Sequence, residues 1–177
     1  DMLGKIKLDN ALLKQIAREK KKRDREVADI IERKEKPPVQ FNLPSAVIID
    51  VDGTLAIRGE RGIYEFEKCE VDTVCREVKQ ILEMIKNQME VKILIMTGRE
   101  AAHRGVTERW LLTNTIPYDT LYMRSAWDGN KGYIIKKQLY DTFIKDKFNV
   151  LFVMEDEKYA IEMWKSEGLY VFNCDQR

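Results

Sequence analysis

Histidine, cysteine and net charge are all scarce in this sequence. One histidine, His103, and three cysteines, Cys69, Cys75 and Cys174, stand among 177 residues. No Cys-x-x-Cys pair occurs, which argues against a structural zinc centre. An odd number of thiols without ligand spacing points to reduced cysteines in a cytosolic setting. No apolar run approaches the ~20 residues of a membrane span, and no signal-peptide pattern opens the sequence, so a cytoplasmic protein without a membrane partner is expected. Lys and Arg number 31 against 30 Asp and Glu, a net charge of +1, which excludes a globally basic nucleic-acid coat but not a local basic patch. No Gly-x-x-x-x-Gly-Lys-Ser/Thr loop is present, so a P-loop kinase is excluded over these residues. What is present suffices for a core: 44% of residues are hydrophobic, and a chain of this length needs no disulfide or metal to fold.

The near-neutral total hides two unlike parts. Residues 1–40 carry 12 Lys/Arg and 8 Asp/Glu, a net of +4, whereas residues 41–177 carry 19 and 22, a net of −3. Lys36-Pro37-Pro38 ends any helix between them. From about Leu8 to Lys34 there is no Gly or Pro, and strong helix formers predict a helix capped by Asp9 or Asn10. Its apolar residues sit at the ends (Leu12, Leu13, Ile16; Val27, Ile30, Ile31), and the stripe is too small to bury alone. This arm reads as a solvated helix or linker, as an oligomerisation arm, or as a nucleic-acid arm through Lys20-Lys21-Lys22-Arg23.

Residues 41–177 alternate strand and helix. Ala46 to Asp50 is a β-branched run that suits a strand buried on both faces. A helix is expected over 71–88, with Val74, Val78, Ile81, Leu82 and Ile85 on one side. A strand follows over 91–96, stopped by Thr97-Gly98, then a helix over 99–114. A strand over 118–123, a helix over 131–148, a strand over 150–154, a helix over 158–168 closed by Gly168 and a strand over 169–173 complete the series. This rhythm predicts an α/β fold, a Rossmann-like doubly wound parallel sheet. Ligands of such sheets bind at the carboxyl ends of the strands.

Polar groups cluster at those ends. The first strand runs into Asp50-Val51-Asp52-Gly53-Thr54-Leu55. Both carboxylates reach one cleft if the chain turns at Asp52, and Gly53 eases that turn. The second strand ends in Thr97-Gly98-Arg99 and the fourth in Glu155-Asp156, while Lys136 can join from a helix. Clustered carboxylate oxygens suit Mg²⁺, and Arg and Lys suit phosphate. Taken singly each fragment is ordinary: a strand-to-loop boundary, a turn, a helix cap. Their order along the predicted topology is what singles them out.

Asp50-Val51-Asp52-Gly53-Thr54, Thr97, Lys136 and Asp156 resemble the four motifs of the haloacid dehalogenase-like phosphatases. The stretch from Gly59 to Asp72, the run Met96-Thr97-Gly98-Arg99-Glu100 and Glu162-Met163-Trp164 resemble one branch, the phosphatase domains of bacteriophage polynucleotide kinase/phosphatases. The resemblance covers about residues 44–174 and leaves the arm unexplained. It implies that Asp50 is the nucleophile that forms an aspartyl-phosphate, and that Asp52 is the acid for the leaving oxygen and then the base for water. It implies that Mg²⁺ is held by Asp50, the Asp52 main-chain carbonyl and Asp156. Thr97 and Lys136 would bind phosphoryl oxygens, and Thr54, Arg61, Arg99 and Arg124 would contact the substrate or orient the site. Two positions depart from the branch. Glu155 stands where an Asp is usual, as a further metal candidate, and Gly132 stands where an acidic residue is usual.

Only 42 residues separate Thr54 from Thr97, and 38 separate Thr97 from Lys136. Neither interval houses a large cap domain, so the site is open to large substrates. The expected activity is removal of a 3′-phosphate from RNA or DNA ends, as in end healing. A small-molecule phosphatase such as a nucleotidase, or a catalytically silent binding module, are the alternatives. Separate kinase or ligase partners and a homo-oligomer stay open. Trp127 and Tyr133, near Arg124, are candidates either for base stacking or for core packing. His103 reads as a helix-start residue.

Overall fold

The computed structural model describes residues 14–15, 17–22, 37–40 and 42–175. The chain divides into two units, residues 1–32 and 33–177. In the first, Lys14, Gln15 and residues 17–22 are helical and exposed. The rest of the expected arm helix, with its caps and apolar ends, lies outside the described residues.

The second unit is built on five strands: β1 (Ser45–Ile49), β4 (Val91–Glu100), β5 (Thr120–Arg124), β6 (Asn149–Glu155) and β7 (Val171–Asn173). Their spatial order is β5-β4-β1-β6-β7, and every neighbouring pair is parallel. A two-stranded antiparallel flap, β2 (Ala56–Ile57) with β3 (Thr73–Val74), stands between β1 and the first helix. The helices are α1 (Arg76–Gln88), α2 (Arg104–Thr113), α3 (Gly132–Phe143) and α4 (Lys158–Ser166).

Alternation along the strands divides the core in two. Val47 and Ile49 of β1, with Ile93 and Ile95 of β4, pack on Val78, Leu82 and Ile85 of α1 and Trp110 and Leu111 of α2. Ala46, Ile48, Leu94 and Met96 point the other way, to Tyr140 of α3 and Ala160, Met163 and Trp164 of α4. A strand period of two, covered by helices on both faces, is why β1 reads as unbroken hydrophobicity. The expected doubly wound α/β sheet is therefore present. The chain crosses from β5 back to β6 on the far side of β1, so the sheet reverses direction between β1 and β6. That reversal is where such sheets leave a crevice.

Several boundaries differ from expectation: the helix expected from Arg99 begins at Arg104, the strands expected from 118 and 169 begin at Thr120 and Val171, and three further shifts have physical reasons. The helix expected from Val71 begins at Arg76: residues Phe66–Val71 form a 3-10 turn and Thr73–Val74 pair with β2. The cause is Asp72, whose buried carboxylate is tied to Arg61 and Arg99. Ile81, expected inside, is 37% exposed. The second strand does not stop at Thr97-Gly98. It runs to Glu100 through an irregularity between Thr97 and Glu100, where Glu100 pairs with Arg124, and such a bulge re-aims a side chain, here Arg99. Helix α3 ends at Phe143 rather than Phe148, with Ile144 capping onto Tyr140. Gly168 does close α4, at φ +77, with the Leu169 N–H returning to Trp164 O.

Candidate active site

A cleft of about 480 Å³ opens at the carboxyl ends of the strands. Asp50, Asp52, Thr54, Arg61, Arg99, Arg124, Lys136, Glu155 and Asp156 all line it. Ten residues were expected at the site, and Thr97 alone does not line this cleft. Thr97 is fully buried, and its Oγ1 accepts from the Arg99 N–H at 3.2 Å. Gly98 takes its place in the wall.

Asp50 follows β1 and Asp156 follows β6, the two strands at the reversal of the sheet. Oxygens of Asp50, Glu155 and Asp156, all buried, lie within 4.8 Å of one another. Lys136 Nζ, carried inward by α3, donates to Asp50 Oδ1 and to Glu155 Oε2, both at 2.7 Å. Glu155 is held further by Trp164 Nε1 at 3.3 Å and by the Glu157 N–H at 3.2 Å. Asp50 and Glu155 thus share one ammonium, beside the Asp156 carboxylate. Burial, and next the charge of Glu155, push the Asp50 carboxyl up to about 7. Lys136 is pushed up in spite of its burial, by Asp50 and Glu155.

Gly53 makes the turn after Asp52 at φ +94. A Cβ there would lie 2.2 Å from Asp156 Oδ2, so only glycine lets the main chain close over that carboxylate. A net negative, all-oxygen cluster cradled by backbone fits a hard divalent cation. Thr54 Oγ1, buried in the same wall, has no partner among the described residues.

Asp52 sits in a different environment. Arg99 grips it with two bonds, Nε to Oδ2 and Nη2 to Oδ1, both 2.8 Å. Arg61 Nη2 adds a bond to Oδ1 at 2.7 Å. Burial would raise the Asp52 carboxyl, but the two guanidinium groups outweigh it and hold it below the usual range. Arg61 is itself clamped by Asp72, at 2.9 Å and 3.0 Å from Nε and 2.6 Å from Nη2. The ring of Phe66 lies under both guanidinium groups, 5.5 Å and 5.7 Å from its centre, and His103 packs edge-on against that ring. Asp72 O accepts from Trp110 Nε1 at 2.9 Å. Sequence reasoning did not single out Asp72, Phe66 or Trp110; the signal for Asp72 was an acidic residue inside an otherwise helical pattern.

Arg124 ends β5. Its Nη1 donates to Asp128 O at 3.1 Å, and its buried Nε has no partner among the described residues. Gly132, where the branch usually has an acidic residue, lines the cleft without a side chain to pair with Arg124. Tyr133 is partly buried and packs against the core beside Tyr159, its ring centre 6.0 Å away. The cysteines are all free thiols, Cys69 and Cys75 buried.

Residues 44–177 match the family described as the polynucleotide kinase PNKP phosphatase domain. The chain belongs to this family. As a PNKP-type phosphatase domain it shares 30% identity over 130 residues with a protein described as a bifunctional polynucleotide kinase/RNA ligase of Autographa californica nuclear polyhedrosis virus, covering 72% of this chain and 19% of that one. Among solved structures it resembles a chain of a Pnkp1/Rnl/Hen1 complex, at 36% identity and TM-score 0.75, covering 80% of this chain and 50% of that chain. The HAD domain of the effector protein Lem4 from Legionella pneumophila aligns at TM-score 0.51 and 14% identity, over 74% of this chain and 85% of that one, a likeness of fold alone. The PNKP-type domain spans about half of the Pnkp1-complex chain and about a fifth of the viral relative. It is a phosphatase domain of the PNKP family, on the haloacid dehalogenase-like fold. No helix among the described residues is long and apolar enough to cross a membrane.

Proposed function

We propose that this domain removes the 3′-phosphate from RNA or DNA ends through an aspartyl-phosphate, with Mg²⁺ as cofactor. The supporting observation is that Asp50 and Asp52 line one open cleft in opposite electrostatic settings, Asp50 among carboxylates and Asp52 between two arginines. Two carboxylates whose environments drive them apart are suited to two roles.

Mg²⁺ would be held by Asp50, Asp156 and the Asp52 main-chain carbonyl, with Glu155 beside them, and would offset the repulsion between the Asp50 carboxylate and the phosphate. Asp50 attacks phosphorus, and the bond to the terminal 3′-oxygen breaks. Asp52 protonates that leaving oxygen, then takes a proton from the water that hydrolyses the intermediate. The arginines keep Asp52 ionised in the free protein. A phosphate dianion in the cleft sets negative charge against it and moves its pKa back up, so the proton donor forms with substrate bound. Lys136 and Arg124, whose Nε lacks a partner among the described residues, face developing charge on the phosphoryl oxygens. Thr54 Oγ1 is a further donor. Arg61 and Arg99 act through Asp52, and Thr97 acts by holding the Arg99 main chain.

The likeness to a kinase/ligase and to a chain of a Pnkp1/Rnl/Hen1 complex supports a place beside kinase and ligase activities on the same ends. Residues 1–32, a unit of their own, are then an appendage to the phosphatase domain. Phosphate release should be measured with Mg²⁺ on 3′-phosphorylated oligonucleotides beside nucleoside 3′- and 5′-monophosphates. Release fastest from oligonucleotide ends is expected. Faster release from mononucleotides would favour a nucleotidase, and no release from any substrate would mark a silent binding module.

A further inference from the structure

The chain has three tryptophans. Trp110 and Trp164 are 1% and 0% exposed, and each donates its indole N–H to a buried acceptor. Trp127 is 95% exposed. A ring of that size in water forgoes the largest burial gain any side chain offers. The backbone adds to the cost, because Trp127 has φ +64, the left-handed region that a bulky L residue adopts only under constraint.

The segment around it is nevertheless tied down. Arg124 Nη1 donates to Asp128 O at 3.1 Å, the Asp128 N–H reaches Ser125 O at 3.4 Å, and Asp128 Oδ1 accepts from the Asn130 N–H and Nδ2 at 3.0 Å and 2.7 Å. Both ends of the segment are walls of the cleft, Arg124 before it and Gly132 after it. Trp127 follows Arg124 by three residues, so their Cα atoms lie within about 11 Å. A nucleotide at or next to a phosphate-bearing end can cover that distance. Ile57 and Ile63 of the flap also line the cleft, which gives it an apolar wall beside its charged groups.

We propose that Trp127 is a base-stacking platform, its ring taking the face of a nucleobase at or next to the phosphate-bearing 3′ end. It thereby sets the preference of this site for polynucleotide ends over small phosphoesters. This rests on the 3′-phosphatase reading above. Every base has a π-face, so the platform is tolerant of sequence, and losing such a stack costs about 5- to 150-fold in affinity.

The test compares the unmodified protein, Trp127→Ala and Trp127→Phe on two 3′-phosphorylated oligonucleotides, one natural and one whose last two nucleotides lack bases. Trp127→Ala should raise KM for the natural end by ten-fold or more and leave the abasic end unchanged, while Trp127→Phe should recover most of the loss. Since Trp110 and Trp164 are buried, titration with an unphosphorylated oligonucleotide should quench tryptophan fluorescence in the unmodified protein and not in Trp127→Phe. Equal losses on both substrates would assign Trp127 to loop structure and overturn the proposal. No loss on either, with no quenching, would also overturn it and leave a protein-contact surface. If the unmodified protein is inactive on every 3′ end yet still quenched, the 3′-phosphatase reading fails and the platform stands. Inactivity without quenching overturns both.

Discussion

Two halves of one cleft use the same residue types to opposite ends. On the β1–β6 side, Asp50, Glu155 and Asp156 cluster, and Lys136 bridges the first two. On the flap side, Asp52 and Asp72 are matched by Arg61 and Arg99. In the first half carboxylates crowd together, and Asp50 is driven up to about 7, by burial and then by Glu155. The second half is balanced, and Asp52 is held low by its arginines against the effect of burial. Burial and charge together separate the two: Asp50 is the more deeply buried and lies beside another carboxylate, whereas Asp52 is partly exposed and held by two arginines. An unbalanced cluster attracts a divalent cation; a balanced one fixes a side chain in place. Bidentate arginine geometry adds direction that a lysine does not supply.

The largest expected effect is on the unbalanced half. Asp50→Asn removes the nucleophile but keeps the shape, so turnover should fall by at least about 10³-fold with melting temperature and circular dichroism unchanged. Near-full activity would refute the aspartyl-phosphate. Next comes Lys136→Met, which leaves buried Asp50 and Glu155 without their shared ammonium. Breaking such a pairing costs about 3–5 kcal/mol, and Mg²⁺ should recover more melting temperature in this variant than in the unmodified protein. Equal Mg²⁺ gains in both would mean that the cluster does not draw its cation by charge.

Asp72→Asn strikes the balanced half. It leaves Arg61 and Arg99 under-paired beneath Phe66, so Asp52 is no longer held by a braced pair. A loss of about 10- to 100-fold in kcat, of the size found for supporting contacts, should come with a shifted pH–rate profile. A fall in stability with an unchanged profile would make Asp72 structural only.

Much of this was legible in the sequence, because strand alternation and the order of polar residues at strand ends obey local rules. Nine of the ten expected site residues line the cleft, although the roles of Thr54, Arg61 and Arg124 were expected from the family resemblance rather than from strand-end position. Asp72 was not legible, because its value comes from two arginines at sequence separations of 11 and 27. The extension of β4 past Gly98 was hidden for a similar reason: its partner for Glu100 is Arg124, supplied by another strand.

The smallest effects lie away from both halves. Glu155→Asp withdraws the carboxylate from Trp164 Nε1 and Lys136, and should raise the Mg²⁺ concentration needed for half-maximal rate several-fold. At the other end of the sheet, Asp119 would be raised by burial. The Ile93 N–H, Lys92 and Lys86 outweigh this and hold it below the usual carboxylate range. A depressed carboxyl stabilises the fold above its unfolded pKa, and that contribution is lost as pH falls through the folded value. Asp119→Asn should therefore lower the melting temperature slightly at neutral pH, and the difference should close in acid. A constant difference across that range would reject the charge contribution.

Taken alone, the sequence determined the alternating elements, the two-sided sheet and the row of Asp50, Asp52, Lys136, Glu155 and Asp156, because periodicity and strand-end position act over short distances. Tertiary structure decided how those carboxylates divide. Asp50 and Asp52 stand two residues apart, yet one meets Lys136 across 86 positions and the other meets Arg99 across 47. Proton affinity depends on the charges that surround a group in space, and only folding brings those charges together.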